Sequence, residues 1–465
     1  MTDPFEPTRQ LLAAAGLPPD AVDGLQLTGN EPALPSSFAV GTAARSTIAA
    51  AALAACALGR LRGQPAQTVS VDMRHAAIEC MGWFSLDGVA PDLWDSFSGL
   101  YRAADGWVRI HANFAHHRDG ALRLLGLDPA LATRADAEAA VARWKAADFE
   151  DAAAAARLVV TRLRSFAQWD ATPQGRAVAA QPLFTLRRIG DAPPLALPAL
   201  VAGQRPLAGI RVLELTRILA GPVGGRTLAA HGADVLLVNG PHLPNIAAIA
   251  DTSRGKRSAL IDLRDEAGQA TLRGLVGSAH VFIQGYRPGG IAGRGFSPES
   301  LAGMRPGIVC VSLSAYGTQG PWAGRRGFDS LVQTAMGFNQ AEAEAAGEGK
   351  PRPMPVQILD EATGYLMAMG AAAALWRQQT EGGSWLVEVS LAQTGQWLRG
   401  LGRLADGFSA RLPKTLEEAG EDRYLESSAS GFGALRAVRH AAMLSATPAG
   451  WDLPSVPPGS HPPAW

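Results

Sequence analysis

The stretch "GIRVLELTRILAGPVGGRTLAAHGADVLLV", residues 209–238, decides the fold. "GIRVLEL" is an apolar run of strand length, "AGPVGGRTLAAHG" a turn and helix, and "ADVLLV" a second apolar run. Short apolar runs alternating with helical segments indicate βαβ units, and hence a parallel sheet with helices on both faces. The pattern extends outward. "KRSALIDL" (256–263) predicts a third strand, "DEAGQATLRGLVG" (265–277) a helix and "AHVFIQGY" (279–286) another strand, and "SPESLAGMRPG" leads into "IVCVSLSAYG" (308–317). A ligand of such a sheet sits beyond the carboxyl ends of the strands, where the loops after Leu215, Val238 and Gln284 gather.

A chain of 465 residues is too long for one ordinary core, so two or three compact units are expected. Apolar residues make up 47% and charged residues 18%, the balance of a globular protein. Lys+Arg and Asp+Glu both number 42, leaving no net field to recruit nucleic acid or an anionic membrane. Cys56, Cys80 and Cys310 form no CxxC pair, which argues against a disulfide framework or a zinc site and fits a reducing cytoplasm. The start, "MTDPFEPTRQ", is polar and does not read as a signal peptide, and the most apolar run, 48–58, is too short to span a bilayer. The expectation is a cytoplasmic protein with no metal site and no nucleic-acid or membrane partner.

Ahead of the alternating region, "DGWVRIHA" (105–112) predicts a strand, followed by alanine-rich helices over 121–166. A small α+β domain is placed at 101–192, and a proline-punctuated linker at 193–205. The Rossmann-like domain takes 206–395, and a polar stretch with a proline-rich tail that wraps over a surface takes 396–465. A faint repeat runs through the chain. Residues 46–73 match 364–391 without a gap: a small-residue helix, a polar turn, then an alternating V-x-V strand. At this offset Asp360 falls on Thr42. Residues 1–100 are therefore expected to be a partial, degenerate copy of the C-terminal half of the Rossmann-like domain, without its carboxylate.

Several motifs are missing. The turn after Leu215 lacks G-x-G-x-x-G, and Asn239 stands where a ribose-binding acid would, so NAD binding is not expected. There is no P-loop, H-E-x-x-H or G-x-S-x-G, and the histidines, His116–His117 apart, are scattered. The run "RGKRS" (254–258) is either a solvated turn or a phosphate clamp, and Arg287 in "GYRPGG" follows another strand. In "VQILDEATGYLMAMGAAAALW" (356–376), Asp360 stands in front of a long apolar helix. It is a helix cap, a nucleophile, or both.

Together these segments resemble the family III CoA-transferases (the CaiB/BaiF family), which include formyl-CoA and carnitine CoA-transferases and α-methylacyl-CoA racemases. "LAGIRVLELTRILAGPVGGRTLAAHGADVLLV", "RGKRSALIDL", "QGYRPGGIAGRGFSPESLAGMRPGIVCVSLSAYGTQGPWAGRRGFDSLVQTAMG" and "DEATGYLMAMGAAAALWRQQTEGGSWLVEVSL" follow in the family's order, although here the small domain precedes the Rossmann-like one. The resemblance implies an interlocked α/β fold and a homodimer. It implies Asp360 as catalytic residue and Asp329, in the G-[YFH]-D motif, as an assisting acid. Backbone at Ile218 and Leu219 would contact CoA, with Lys256, Arg257 and Arg287 on its phosphates. The implied reaction moves CoA from an acyl-CoA donor to a carboxylic acid through aspartyl anhydride and aspartyl-CoA thioester intermediates. CoA is then a substrate, and no cofactor is permanently bound. Racemases of the family carry His where this chain has Phe328, so a racemase or isomerase is the alternative. Asn239, Gly285 and the lack of a glycine run like the one that closes over the intermediate in some transferases of the family leave a non-catalytic CoA-binding homologue as a further one.

Overall fold

The computed structural model describes residues 3–411, 416 and 420–465. Residues 1–2 of the polar N-terminal stretch, and 412–415 and 417–419 of the polar stretch before the tail, lie outside these. The alternating runs form a seven-stranded sheet: β1 (Phe184–Gly190), β2 (Arg211–Leu215), β3 (Asp234–Asn239), β4 (Lys256–Leu260), β5 (Val281–Gln284), β6 (Val309–Ser314) and β7 (Ser384–Ser390). Their spatial order is β4-β3-β2-β5-β6-β7-β1, all pairs parallel except β7 with β1. The chain winds outward from β2 through β3 to β4, then returns to β5 on the other side of β2. The topological switch point, where α/β sheets bind ligands, therefore lies between β2 and β5.

Four helices matter for the site: α1 (Val40–Leu61), α2 (Ala220–Ala230), α3 (Asp329–Met336) and α4 (Ile358–Glu381). Helix α2 ends because Gly232, with φ +102°, adopts the left-handed conformation that closes a helix. Helix α4 packs along both α1 and α2. Small residues allow this close approach: a Cβ on Gly364 would lie 2.6 Å from the Ala220 carbonyl oxygen. Helix α1 has 22 residues, twice the apolar run expected, and is long and apolar enough to cross a membrane. It is nonetheless almost wholly buried as a core helix.

The two matching stretches of sequence adopt similar local structure. Helices α1 and α4 begin at equivalent positions, after Ala39 (φ −76°, ψ 60°) and Gln357 (φ −80°, ψ 60°). In each, the third residue's N–H donates to a carboxylate: Thr42 to Glu31 at 2.6 Å, and Asp360 to Asp329 at 2.9 Å. Edge strands are exchanged. β1, from the first half of the chain, pairs antiparallel with β7, while Ala442–Leu444, near the end, pairs antiparallel with Val69–Asp72.

The small domain has three antiparallel strands, Gly99–Arg102, Trp107–Ile110 and Val160–Arg162, covered by helices over Ala115–Leu124, Arg134–Val141 and Ala146–Ala155. It ends earlier than expected, because β1 leaves it to join the large sheet. The C-terminal tail wraps over the large domain. Trp451 donates to the Arg226 carbonyl at 3.1 Å, and Trp465 to that of Leu275 at 3.1 Å.

Candidate active site

At the carboxyl edge of the sheet, a cavity of about 450 Å³ opens across the switch point. Leu215, Asn239, Ile261 and Gly285, each at or just past a strand end, line its floor. Phe114, His116 and His117 of the small domain and the loop Arg325–Phe328 line its walls. One chain thus supplies both sides. The cavity is also cationic: Arg217, Arg264, Arg287, Arg294 and Arg326 face it.

Of the CoA-contacting residues expected from the sequence, Ile218 and Arg287 lie on this cavity, and Leu219 is the N-cap of α2 beside it. Ile218 has φ +79°, and a β-branched residue held in that region is strained by about 1–3 kcal/mol. Such strain is typical of ligand-binding backbone.

Lys256 and Arg257 are elsewhere, which corrects their assignment as phosphate ligands. They open β4 and so stand at the amino edge of the sheet, opposite the cavity. Lys256 is fully buried, with its Nζ 2.8 Å from Glu214 Oε2 and 2.7 Å from the Pro222 carbonyl oxygen. Arg257 is bidentate on Asp234 at 2.5 and 2.6 Å. The cation that does reach the cavity from this strand is Arg264, which follows the strand. A cationic run that precedes a parallel strand belongs to the wrong edge, and Arg264 could have been found by following strand direction. Asn239 lines the cavity and donates to the Thr216 carbonyl at 3.3 Å, while its Oδ1 is buried without a partner among the described residues.

Asp360 is the third residue of α4 and 8% exposed. Among the described residues its own carboxylate caps no helix. Asp329, at the start of α3, does that work: its Oδ2 accepts the Asp360 N–H at 2.9 Å, and its Oδ1 accepts from the Gln333 amide. Gln333 is itself fixed, its Oε1 accepting the Met354 N–H at 3.1 Å. The two acids are therefore held together with Asp360 unencumbered. Burial pushes Asp329 up to about 6, against the pull of the Asp360 N–H, Gln333 and Arg109. Asp360 is raised well above the usual carboxylate range, first by burial and then by the Asp329 charge. Two adjoining buried carboxyls resist ionising together, so a proton is retained near neutral pH.

Three neighbours went unrecognised in the sequence. The His111 ring stacks on Phe328 at 4.0 Å, Arg109 influences Asp329, and Glu361, fully buried beside Asp360, is raised by its own burial. Among the described residues, no group of three or more His, Cys, Asp or Glu could hold a metal ion.

Two consecutive stretches of this chain, residues 21–202 and 207–414, match the model of CoA-transferase family III. Over 313 residues the chain is 31% identical to an acyl-CoA transferase of Gibberella moniliformis, covering 63% of this chain and 55% of that protein. Over 152 residues it is 39% identical to a succinate–glutarate CoA-transferase of Agrobacterium fabrum, covering 29% of this chain and 38% of that protein. Among solved structures, a CaiB/BaiF family protein from Brucella suis aligns with 27% identity and a TM-score of 0.37, over 50% of this chain and 65% of that one. The chain thus spans about half the length, or less, of the curated relatives it matches. With both family matches together taking in most of its length, the chain belongs to CoA-transferase family III.

Proposed function

We propose that this protein is a CoA-transferase that moves CoA from an acyl-CoA donor to a carboxylic acid, with Asp360 as nucleophile. The observation that carries this reading is the buried pair Asp360–Asp329 at the head of an apolar helix, joined by the Asp360 N–H donated to Asp329 Oδ2 at 2.9 Å. A cationic cavity suited to the phosphates of CoA lies close by, walled in part by Phe328, the residue before Asp329. Relatives named acyl-CoA transferase and succinate–glutarate CoA-transferase support the same chemistry.

Ionised Asp360 attacks the donor thioester carbonyl. The C–S bond breaks, leaving a mixed anhydride and CoA thiolate. The thiolate then attacks the aspartyl carbonyl, expelling the donor acid and leaving an aspartyl-CoA thioester. The acceptor carboxylate attacks that thioester, and the thiolate released closes the cycle on the acceptor's acyl carbon, regenerating Asp360. A carboxylate whose proton affinity is raised by burial is a stronger nucleophile once ionised, and the apolar helix behind it keeps water from the hydrolysable intermediates. Asp329 orients Asp360 through its backbone N–H. Homodimer formation belongs to the same reading.

The test is intact-mass spectrometry after incubation with a panel of acyl-CoAs, with hydroxylamine trapping and Asp360→Asn as control. A CoA-sized adduct or hydroxamate on the Asp360 peptide, absent from the variant, is expected. CoA binding with no adduct would point instead to proton-transfer chemistry or to a protein that holds CoA without reacting.

A further inference from the structure

Gln333 stands on α3 one turn after Asp329, is buried, and has each end of its amide fixed by a different neighbour. Its Oε1 accepts the Met354 N–H at 3.1 Å and the Asn339 side-chain amide at 3.2 Å. A backbone N–H can only donate, so the atom facing Met354 must be the oxygen. The amide nitrogen is thereby turned to Asp329, where it donates to Oδ1. Asp329 Oδ2 meets a second obligate donor, the Asp360 N–H, at 2.9 Å.

Both oxygens of Asp329 therefore face groups that bear hydrogen, and among the described residues Asp329 donates to nothing. Donors aimed at a carboxyl favour its ionised form. Asp360 is placed differently: among the described residues its carboxyl oxygens accept no hydrogen bond. Burial raises both acids, but only Asp329 has donors and the Arg109 charge pulling the other way. Glu361, next on α4, lies instead in the field of Arg226.

We infer that Gln333 is a positioning residue that holds Asp329 as the anion of the pair, so that near neutral pH the resting proton lies on Asp360 and masks the nucleophile. The inference rests on the transferase reading and deepens it, by saying how that site is switched. The transfer cycle takes up Asp360 as a carboxylate and returns it as one, so the protonated acid stands off the cycle. Entering the cycle breaks the Asp360 O–H bond. The proton leaves to solvent, and the electron pair stays on the oxygen that attacks the thioester carbonyl. While Asp360 is mostly protonated, the reactive fraction falls about ten-fold for each unit that pH is lowered.

Two measurements on the full chain test it. The first needs no turnover: infrared spectroscopy of the carboxyl C=O stretch near neutral pH, wild type minus Asp360→Asn. A protonated carboxyl free of hydrogen bonds absorbs at the high-frequency end of the range, and one hydrogen-bonded at both oxygens at the low end. A high-frequency band is expected; a low-frequency band, or none, overturns the inference. The second is the pH profile of adduct formation at Asp360 with acetyl-CoA, butyryl-CoA and succinyl-CoA, in wild type and Gln333→Met. The wild-type rate should climb about ten-fold per pH unit across neutrality. Gln333→Met keeps the volume but removes the donor, so the proton can pass to Asp329 and free Asp360. That shift is worth one charge-assisted hydrogen bond, about 10- to 100-fold, so the variant should outpace wild type at low pH and show a flatter profile. A merely structural Gln333 would lower the rate alike at every pH, and parallel profiles overturn the inference. No adduct with any of the three esters would sink the transferase reading, while the infrared band would still decide where the proton lies.

Discussion

Replacing Asp329 by Asn tests whether the acid pair is held high, because it changes a slope and not only a level. The Asp329 carboxyl rises from 3.8 to about 6 on burial. That difference is worth about 3 kcal/mol between its protonation states. A carboxyl raised on folding binds its proton more tightly in the native state. Its contribution is therefore fully present below about pH 3.8 and is lost as pH climbs through about 6. Between pH 4.5 and 7.5, about 2 kcal/mol of this should disappear from wild type and not from Asp329→Asn. Asp360 strengthens the contrast, since its own elevation is partly due to the Asp329 charge, which the variant removes. The assay is urea unfolding followed by tryptophan fluorescence at several pH values, taking wild type minus variant at each. The loss of the capping carboxylate shifts every point alike and drops out of the slope. A difference that stays flat, or grows with pH, would refute the placement of a protonated acid at the head of α4.

Lys256→Met breaks a fully buried ion pair with Glu214 and should cost about 3–5 kcal/mol of stability, seen as a lower urea midpoint, with KM for acyl-CoA unchanged. Arg287→Ala, at the cavity, should instead raise that KM about ten-fold with kcat and stability unaltered, while Arg257→Ala leaves KM alone; steady-state kinetics separates the two. Gly364→Ala would drive a methyl to within 2.6 Å of the Ala220 carbonyl, forcing α2 and α4 apart. A loss of about 1–3 kcal/mol is expected, along with slower adduct formation at Asp360 one turn away.

The strands from residue 211 onward were legible because each is a short buried run set between helices, and a parallel sheet leaves few other ways to write them. Asp360 and Asp329 were singled out through resemblance, but their hydrogen-bonded relation was not. Asp360 looked like a cap for its own helix, whereas the structure gives that task to a residue thirty-one positions earlier. Lys256 was misplaced because a cationic run was weighed by composition and not by the direction of the strand it begins. "FTLRRIG" does not read as a sheet strand, since only one neighbour pairs with it and its arginines face outward. Arg109 was invisible for a different reason. In W-V-R-I-H the alternation reads as core against solvent, and only the docking of the large domain turns the solvent face into an interior.

Strand β1 comes first among the seven in the chain yet, among the described residues, pairs only with β7, the last of them to be made. During synthesis the small domain can therefore leave the ribosome and fold while its exit strand waits, unpaired, until β7 emerges. Until then the nascent chain carries an open edge, and its two outward arginines, Arg187 and Arg188, are the features that discourage other chains from pairing there. The finished molecule inherits a seam that no single cut undoes. Cleaving the connector between β1 and β2 would leave the halves joined by sheet hydrogen bonds on one side and by Ala442–Leu444 on the other.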